Sequence, residues 1–303
     1  MSHIIDEVGN TPLIKIPYTK NNNVQIFAKC EWFNPSGSVK DRAAANMIKK
    51  GIEAGETDGK ILIDATSGNT GIAYALYGAS LGIPVELALP ENASEERKLI
   101  LNNYGVKLHL TNPLEGTDGA QRFVDELVAD NQSKYFFPNQ YANDNNWKAH
   151  VESTGPEIWA QSNQSVTHFV AGLGTTGTFM GTSRFLQPKG VHCVSVEPNT
   201  PMHGLEGWKH METAIVPEIY DRSVANDTLV ADTARSYELA KAASKYCGLM
   251  LSPSAAANLD AAMQLADGLK EGVIVTVFAD NAMKYLTDAF WSDDAYTIEN
   301  PFQ

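Results

Sequence analysis

Short apolar, β-branched runs alternate along the chain with segments of helical periodicity, and this alternation constrains the fold more than any other feature. ILIDA at 61–65, PVELAL at 84–89, KLHLT at 107–111, THFVAGLG at 167–174, CVSVEP at 193–198 and VIVTVFAD at 273–280 are each followed by a helical pattern or a turn. Near-continuous apolar strands are those buried on both faces of a parallel sheet, and parallel neighbours need crossover connections. SEERKLILNNYG at 94–105 and DGAQRFVDELVADN at 118–131 carry apolar residues at three- and four-residue intervals, as amphipathic crossover helices do. The class is α/β, with doubly wound parallel sheets. At 303 residues the chain is long for one such core and suits two lobes of about 150 residues with a cleft between them. The polar stretch NQYANDNNWKAH at 139–150 is the expected passage from one to the other.

A formal net charge of −13 opposes binding to a phosphate backbone, which needs many Lys and Arg contacts, so nucleic acid is not an expected partner. Any anionic cofactor must be held locally, by backbone N–H groups and helix ends. Cys30, Cys193 and Cys247 are odd in number, far apart and without a CxxC neighbour or a His at metal-ligand spacing; they read as reduced thiols, and no metal site is expected. The start, MSHIIDEVGN, has neither the basic region nor the apolar stretch of a secretory signal, and the apolar runs are much shorter than a membrane span. The expected location is the cytoplasm, away from membranes.

Three segments carry chemistry. NPSGSVKDR at 34–42 opens with turn formers and leads into AAANMIKKGIEAG, rich in helix formers. Ser38 and Asp41 fit the S-x-x-D capping pattern, which predicts Lys40 in the first helical turn. A cation there faces the positive end of the helix dipole, so its amine loses a proton more readily than a solvated lysine, as a Schiff-base lysine must. The bland alternative is a lysine simply exposed to water. After ILIDA, Thr66-Ser67-Gly68-Asn69-Thr70-Gly71 gathers hydroxyls, glycines and an amide at a strand end beside a helix start. A carboxylate or phosphate binds well in such a place, although an ordinary strand-to-helix turn has the same make-up.

The third segment, Gly172-Leu173-Gly174-Thr175-Thr176-Gly177-Thr178, follows THFVAG and opens TFMGTSRFLQ, matching G-x-G-x-x-G in its structural context. Glu197 ends the next strand, where the ribose-binding acid of an NAD-dependent dehydrogenase would stand. A nicotinamide enzyme is therefore an alternative. Against it, the loop lies in the second half of the chain, and three threonines around its glycines add hydroxyl donors suited to a terminal monophosphate.

NPSGSVKDRAA, TSGNTG, STGPEIW and GLGTTGT, in this order and spacing, together resemble the cysteine synthase family of fold-type II pyridoxal-phosphate enzymes, in particular the B-type sulfhydrylases that accept O-acetylserine or O-phosphoserine. The resemblance covers nearly the whole chain. It implies a tryptophan synthase β-like fold, with 1–12 and 35–145 forming a smaller, mobile N-terminal domain that holds Lys40 and the substrate-carboxylate loop. Residues 13–34 and 146–303 then form the larger domain with the phosphate loop, and the protein is expected to be a homodimer. By this resemblance Lys40 is the Schiff-base lysine for pyridoxal 5′-phosphate and moves the Cα proton, and Asn69 hydrogen-bonds the cofactor's 3′-oxygen. Gly174, Thr175, Thr176, Gly177 and Thr178 hold its phosphate, and Ser254 in LMLSPSAAAN faces the pyridine nitrogen. Thr66, Ser67, Gly68, Thr70 and Gln140 grip the substrate carboxylate. A neutral hydroxyl at the ring nitrogen does not hold the ring protonated as an aspartate would, which favours β-elimination and addition over racemisation. The implied reaction joins an activated serine to sulfide, through an α-aminoacrylate, to give L-cysteine; another thiol is the alternative nucleophile.

Departures from the family pattern define the alternatives. Ser254-Ala255-Ala256 stands where most members carry SSG or STG. Lys209 falls where phosphoserine-using relatives have an arginine, so it either attracts an anionic leaving group or is a solvated surface charge. Asp232, where a small hydroxyl residue is usual, either activates water for a sulfide-releasing, hydrolytic β-replacement or β-lyase reaction on cysteine, or merely caps the helix ARSYELAKAASKYC. Met202, His203, Trp208 and His210 are expected to line the entrance, and Asp280 and Asn281 to stand behind the cofactor.

Overall fold

The computed structural model describes residues 3–66 and 68–303. The chain runs through β1 (Leu13–Lys15), β2 (Val24–Cys30), α1 (Lys40–Glu53), β3 (Ile61–Ala65), α2 (Asn69–Leu81), β4 (Val85–Pro90), α3 (Glu95–Asn103), β5 (Lys107–Thr111), α4 (Gly116–Asp130) and β6 (Tyr135–Phe136). It continues with α5 (Asp144–Glu152), α6 (Thr154–Gln161), β7 (His168–Gly172), α7 (Gly177–Leu186), β8 (His192–Pro198), β9 (Asp227–Ala231), α8 (Thr233–Cys247), α9 (Pro253–Gly268) and β10 (Gly272–Phe278). Each apolar run picked out above is a strand, and the class is α/β with parallel sheets in two domains. The polar passage at 139–150 is more ordered than its composition suggests. Its second half is helical, because Asn143 Oδ1 accepts from Asn145 N at 2.9 Å and starts α5.

The first compact unit comprises the residues up to Val8 and Asn34–Asn146. Its sheet has the order β5-β4-β3-β6, parallel throughout. Side chains alternate across a strand, so Leu62, Leu87 and Leu89 turn to Met47 and Ile48 of α1, Tyr74 and Tyr77 of α2 and Leu101 of α3. Ile63, Ala65 and Ala88 turn the other way, to Ala120 and Val124 of α4. Each large apolar side chain removed from water in this way contributes about 1.5–3 kcal/mol. The same alternation puts Asp64 on the α2 side, inside the core.

The second unit comprises Gly9–Phe33 and Trp147–Gln303. Its sheet has the order β1-β2-β10-β7-β8-β9, with β1 antiparallel to β2 and the remaining pairs parallel. One face carries α8 and α9, whose buried alanines, Ala255, Ala256, Ala257, Ala261, Ala262 and Ala266, let α9 lie close against Val170, Ile274 and Phe278. On the other face Phe179 of α7 stacks with Phe169 of β7, ring centres 6.3 Å apart. Lys29 of β2 is fully buried, its ammonium bonded to Glu157 Oε2 (2.6 Å), the Thr11 carbonyl (2.5 Å) and Gln161 Oε1 (2.7 Å). No helix among the described residues is long and apolar enough to cross a membrane.

Candidate active site

Lys40 is the first residue of α1 and is half-buried. Asp41 holds the turn before it, accepting from Ser36 N (2.8 Å), Ser36 Oγ (2.5 Å), Ser38 N (3.1 Å) and the Tyr77 hydroxyl. The acid half of the capping pattern is therefore present. The serine half is displaced: Ser38 Oγ accepts from Lys40 N at 3.2 Å, while Asp41 N reaches the Ser38 carbonyl at 3.4 Å. Burial raises the Asp41 carboxyl above its ordinary value against the pull of these donors. The result is a braced turn that fixes where the lysine side chain starts.

In the same unit, the Thr66–Thr70 segment turns from β3 into α2, whose first residue is Asn69. Ser67 lies outside the described residues. Thr66 and Thr70 are buried, and Gly68 N donates to Thr66 Oγ1 at 3.3 Å. Gln140 joins them from the far end of the unit: its Oε1 accepts from Thr70 Oγ1 at 2.8 Å and its Nε2 donates to the Ala65 carbonyl at 3.1 Å. Thr66, Gly68, Thr70 and Gln140 are thus one group of polar side chains and backbone at a strand end. Behind it stands a residue that the sequence reading left out. Asp64 is buried, taking hydrogen bonds from Tyr74 Oη (2.9 Å), Gln140 N (3.3 Å) and Ala65 N (2.7 Å).

In the second unit, Gly174–Thr176 link β7 to α7, with Gly177 and Thr178 in the first turn of that helix. The bond from Met180 N to the Thr176 carbonyl at 2.9 Å is an i to i−4 helical bond. The N–H groups of Gly177, Thr178 and Phe179 precede it, in the part of a helix where such donors lack intrahelical partners. Thr176 adopts a left-handed backbone at φ +72°, and among the described residues its buried Oγ1 has no hydrogen-bond partner. Thr178 Oγ1 lies 3.4 Å from Nε2 of buried His150, whose Nδ1 lies 2.8 Å from Thr154 Oγ1. His150, which no local pattern singles out, therefore buttresses the loop from α5.

The two leading glycines serve the chain itself. A Cβ on Gly172 would fall 2.0 Å from the Trp208 ring, and one on Gly174 would fall 2.0 Å from the Gly207 carbonyl oxygen. Close approach by the chain's own 207–208 segment thus explains glycines that also fit a dinucleotide fingerprint. Gly174→Ala is expected to cost about 1–3 kcal/mol, because the obstructing atom is backbone and cannot swing aside. Thermal denaturation of the variant checks this, and an unchanged midpoint would count against the close approach.

Lys209 is buried beside this loop, its N–H donating to the Leu173 carbonyl (2.8 Å) and its Nζ to the Ile215 carbonyl (3.1 Å). It is not a solvated surface charge. Ser254 is buried at the start of α9, its Oγ 3.2 Å from Oγ of Ser252, the N-cap that receives Ala255 N. Asp232 caps α8: Oδ1 accepts from Arg235 N (2.9 Å) and Oδ2 from Asn199 Nδ2 (2.8 Å). Burial pushes the Cys30 thiol up to about 12 and those of Cys193 and Cys247 to about 11, so none offers a thiolate near neutrality.

The residues of the glycine-rich loop fit a phosphorylated cofactor. An unsatisfied buried hydroxyl at a helix N-terminus is a donor awaiting an acceptor, and successive N–H groups with a dipole behind them favour an anion. Residues 4–280 match the model of the pyridoxal-phosphate dependent enzyme family. A cysteine synthase of Aquifex aeolicus is 49% identical over 301 residues, covering 96% of this chain and 92% of the relative. The chain belongs to the cysteine synthase family of pyridoxal-phosphate dependent enzymes. The crystal structure of cysteine synthase from Entamoeba histolytica matches this family member with a TM-score of 0.90 at 30% identity, covering 97% of this chain and 91% of that one. A hydrogen sulfide-producing enzyme from Fusobacterium nucleatum matches with a TM-score of 0.88 at 33% identity, covering 94% and 100%. Cysteine synthase family membership makes pyridoxal 5′-phosphate the cofactor and sets aside the nicotinamide alternative; Glu197 is the penultimate residue of β8.

Proposed function

We propose that this enzyme replaces the β-substituent of an activated serine, O-acetylserine or O-phosphoserine, with sulfide to give L-cysteine and acetate or phosphate. The observation that carries the proposal is the neutral hydroxyl pair, Ser252 and Ser254, at the start of α9, where the family resemblance puts the cofactor's ring nitrogen. When bound, pyridoxal phosphate supplies an aldehyde for an amine and a ring that withdraws electrons from Cα. Lys40 would provide the attachment point, and its amine, once displaced by the substrate's, would take the Cα proton and later return it. Gly174, Thr175, Thr176, Gly177 and Thr178 would hold the phosphate, and Asn69 the 3′-oxygen. Thr66, Ser67, Gly68, Thr70 and Gln140 would bind the substrate carboxylate. Ser254, offering a hydroxyl and no charge, leaves the ring a modest electron sink, enough for loss of a β-group. Excluding water from the site would keep it from competing with sulfide.

Release of sulfide from cysteine is the second function, supported by the likeness to the Fusobacterium enzyme. In its hydrolytic form it asks Asp232 to activate water, whereas Asp232 caps α8 and is held there by Arg235 N and Asn199 Nδ2. The test is a paired assay of the purified holoenzyme. Cysteine formation from O-acetylserine or O-phosphoserine with sulfide is expected to exceed sulfide release from cysteine by at least about tenfold, a difference of about 1.4 kcal/mol in activation free energy. The reverse ratio overturns the assignment. The family resemblance also supports a homodimer.

A further inference from the structure

We propose that Asp64 is a positioning residue for substrate binding, acting through Gln140 to aim an amide hydrogen at the substrate's carboxylate. The inference rests on the carboxylate role given above to Thr70 and Gln140. The orientation of the Gln140 amide follows from its neighbours. A carbonyl can face only the NH2 end, so the Ala65 carbonyl fixes Nε2 on its side and Oε1 on the side of Thr70. Thr70 must then donate its single proton to Oε1. Thr66 Oγ1 accepts from Gly68 N and keeps its own proton, and one Nε2 hydrogen of Gln140 is left beside it to point at a ligand.

Asp64 holds that arrangement at its base. Its Oδ2 receives the Gln140 N–H, its Oδ1 receives the Ala65 N–H, and its own strand carries the Ala65 carbonyl that orients the amide. Asn146 Nδ2 closes the Gln140 main chain from the other side, donating to its carbonyl at 2.6 Å. Both ends of the Gln140 peptide environment are thereby fixed, and Tyr74 Oη fills the second site on Oδ2. Ala65 N, Tyr74 Oη and Gln140 N converge on Asp64, and the Gln140 N–H is the bond through which the acid acts on the glutamine. Tyr141 and Asp125 also face Asp64, and burial carries its carboxyl from 3.8 up to about 7, so this geometry is retained although the core disfavours the charge.

Asp64→Asn tests the inference. An amide cannot accept at both positions, so Nδ2 confronts either the Gln140 N–H or the Ala65 N–H donor to donor, and in either case one support of the glutamine shifts. An unsatisfied buried donor of this kind weakens the dependent contact roughly tenfold. In the holoenzyme, KM for the amino-acid substrate is expected to rise roughly tenfold, with kcat and cofactor absorbance held within about twofold. The Kd of unreactive L-serine, read by calorimetric titration, is expected to rise in parallel. Tyr74→Phe, which keeps the acid and removes one donor, is expected to move the same constants in the same direction by about threefold, within the range of one neutral hydrogen bond. Unchanged Kd and KM in Asp64→Asn overturn the inference, as does a fall in kcat alone. If Asp64→Asn does not fold, the Tyr74→Phe constants decide in the same way. A wild-type protein that binds L-serine but makes no cysteine would sink the proposed reaction and leave the serine Kd to judge Asp64.

Discussion

Lys40→Ala is expected to abolish the cofactor's aldimine-type absorbance and to lower kcat by on the order of 10³-fold or more, since one amine serves both as attachment point and as proton carrier. The fold should survive the change. Lys40 opens α1 at a half-buried position, alanine is the best helix former, and the turn before it is braced by Asp41, Ser36, Ser38 and Tyr77, none of which the substitution touches. Borohydride reduction followed by peptide mass spectrometry locates the attachment independently of turnover. An adduct on another side chain in the wild type, or near-normal turnover in the variant, would end the assignment of this residue.

The second large effect is on stability. Lys29→Met is expected to cost about 3–5 kcal/mol, because it leaves the largely buried Glu157 carboxylate without its cation. Methionine fills a similar volume with an unbranched chain, so the loss reports charge rather than a cavity. Glu157 would keep a hydrogen bond from Asn10 N at 3.0 Å, and the Thr11 carbonyl would lose its ammonium donor. Adding Glu157→Gln should recover much of the loss, since two neutral side chains carry no uncompensated charge. Urea titration measures both changes, and a single-variant cost below about 1 kcal/mol would show the pair to be as weak as a surface one. Glu157 is the acid of the STGPEIW segment, which the sequence presented only as a family marker.

The sheets were legible because burial on both faces leaves a local mark: ILIDA and KLHLT coincide with β3 and β5 residue for residue. β2 was missed because Lys29 interrupts an apolar run, and its burial makes sense only with Glu157 and Gln161, far along the chain. β9, DTLVA, is exposed along much of its length and lacked the apolar mark. In the candidate site, Lys40, the Thr66–Thr70 turn and the glycine-rich loop stood out by local chemistry, and their roles come from the family resemblance. Asp64, Ser252 and His150 were not, since each acts through a partner; Asp64 and Gln140 lie 76 positions apart. An acid inside an otherwise apolar strand was the available signal for Asp64. The glycines misled in part, for Gly172 and Gly174 answer to Trp208 and Gly207 as much as to any phosphate.

Thr176 carries an implication for engineering. A β-branched residue in a left-handed conformation stores on the order of 1–3 kcal/mol of backbone strain, which glycine or asparagine would relieve. Either replacement would also remove the hydroxyl that this conformation presents at the head of α7. If Thr176 holds the cofactor's phosphate as proposed, selection for heat resistance and selection for cofactor retention pull this one position in opposite directions, and a search for hardier variants should leave it alone.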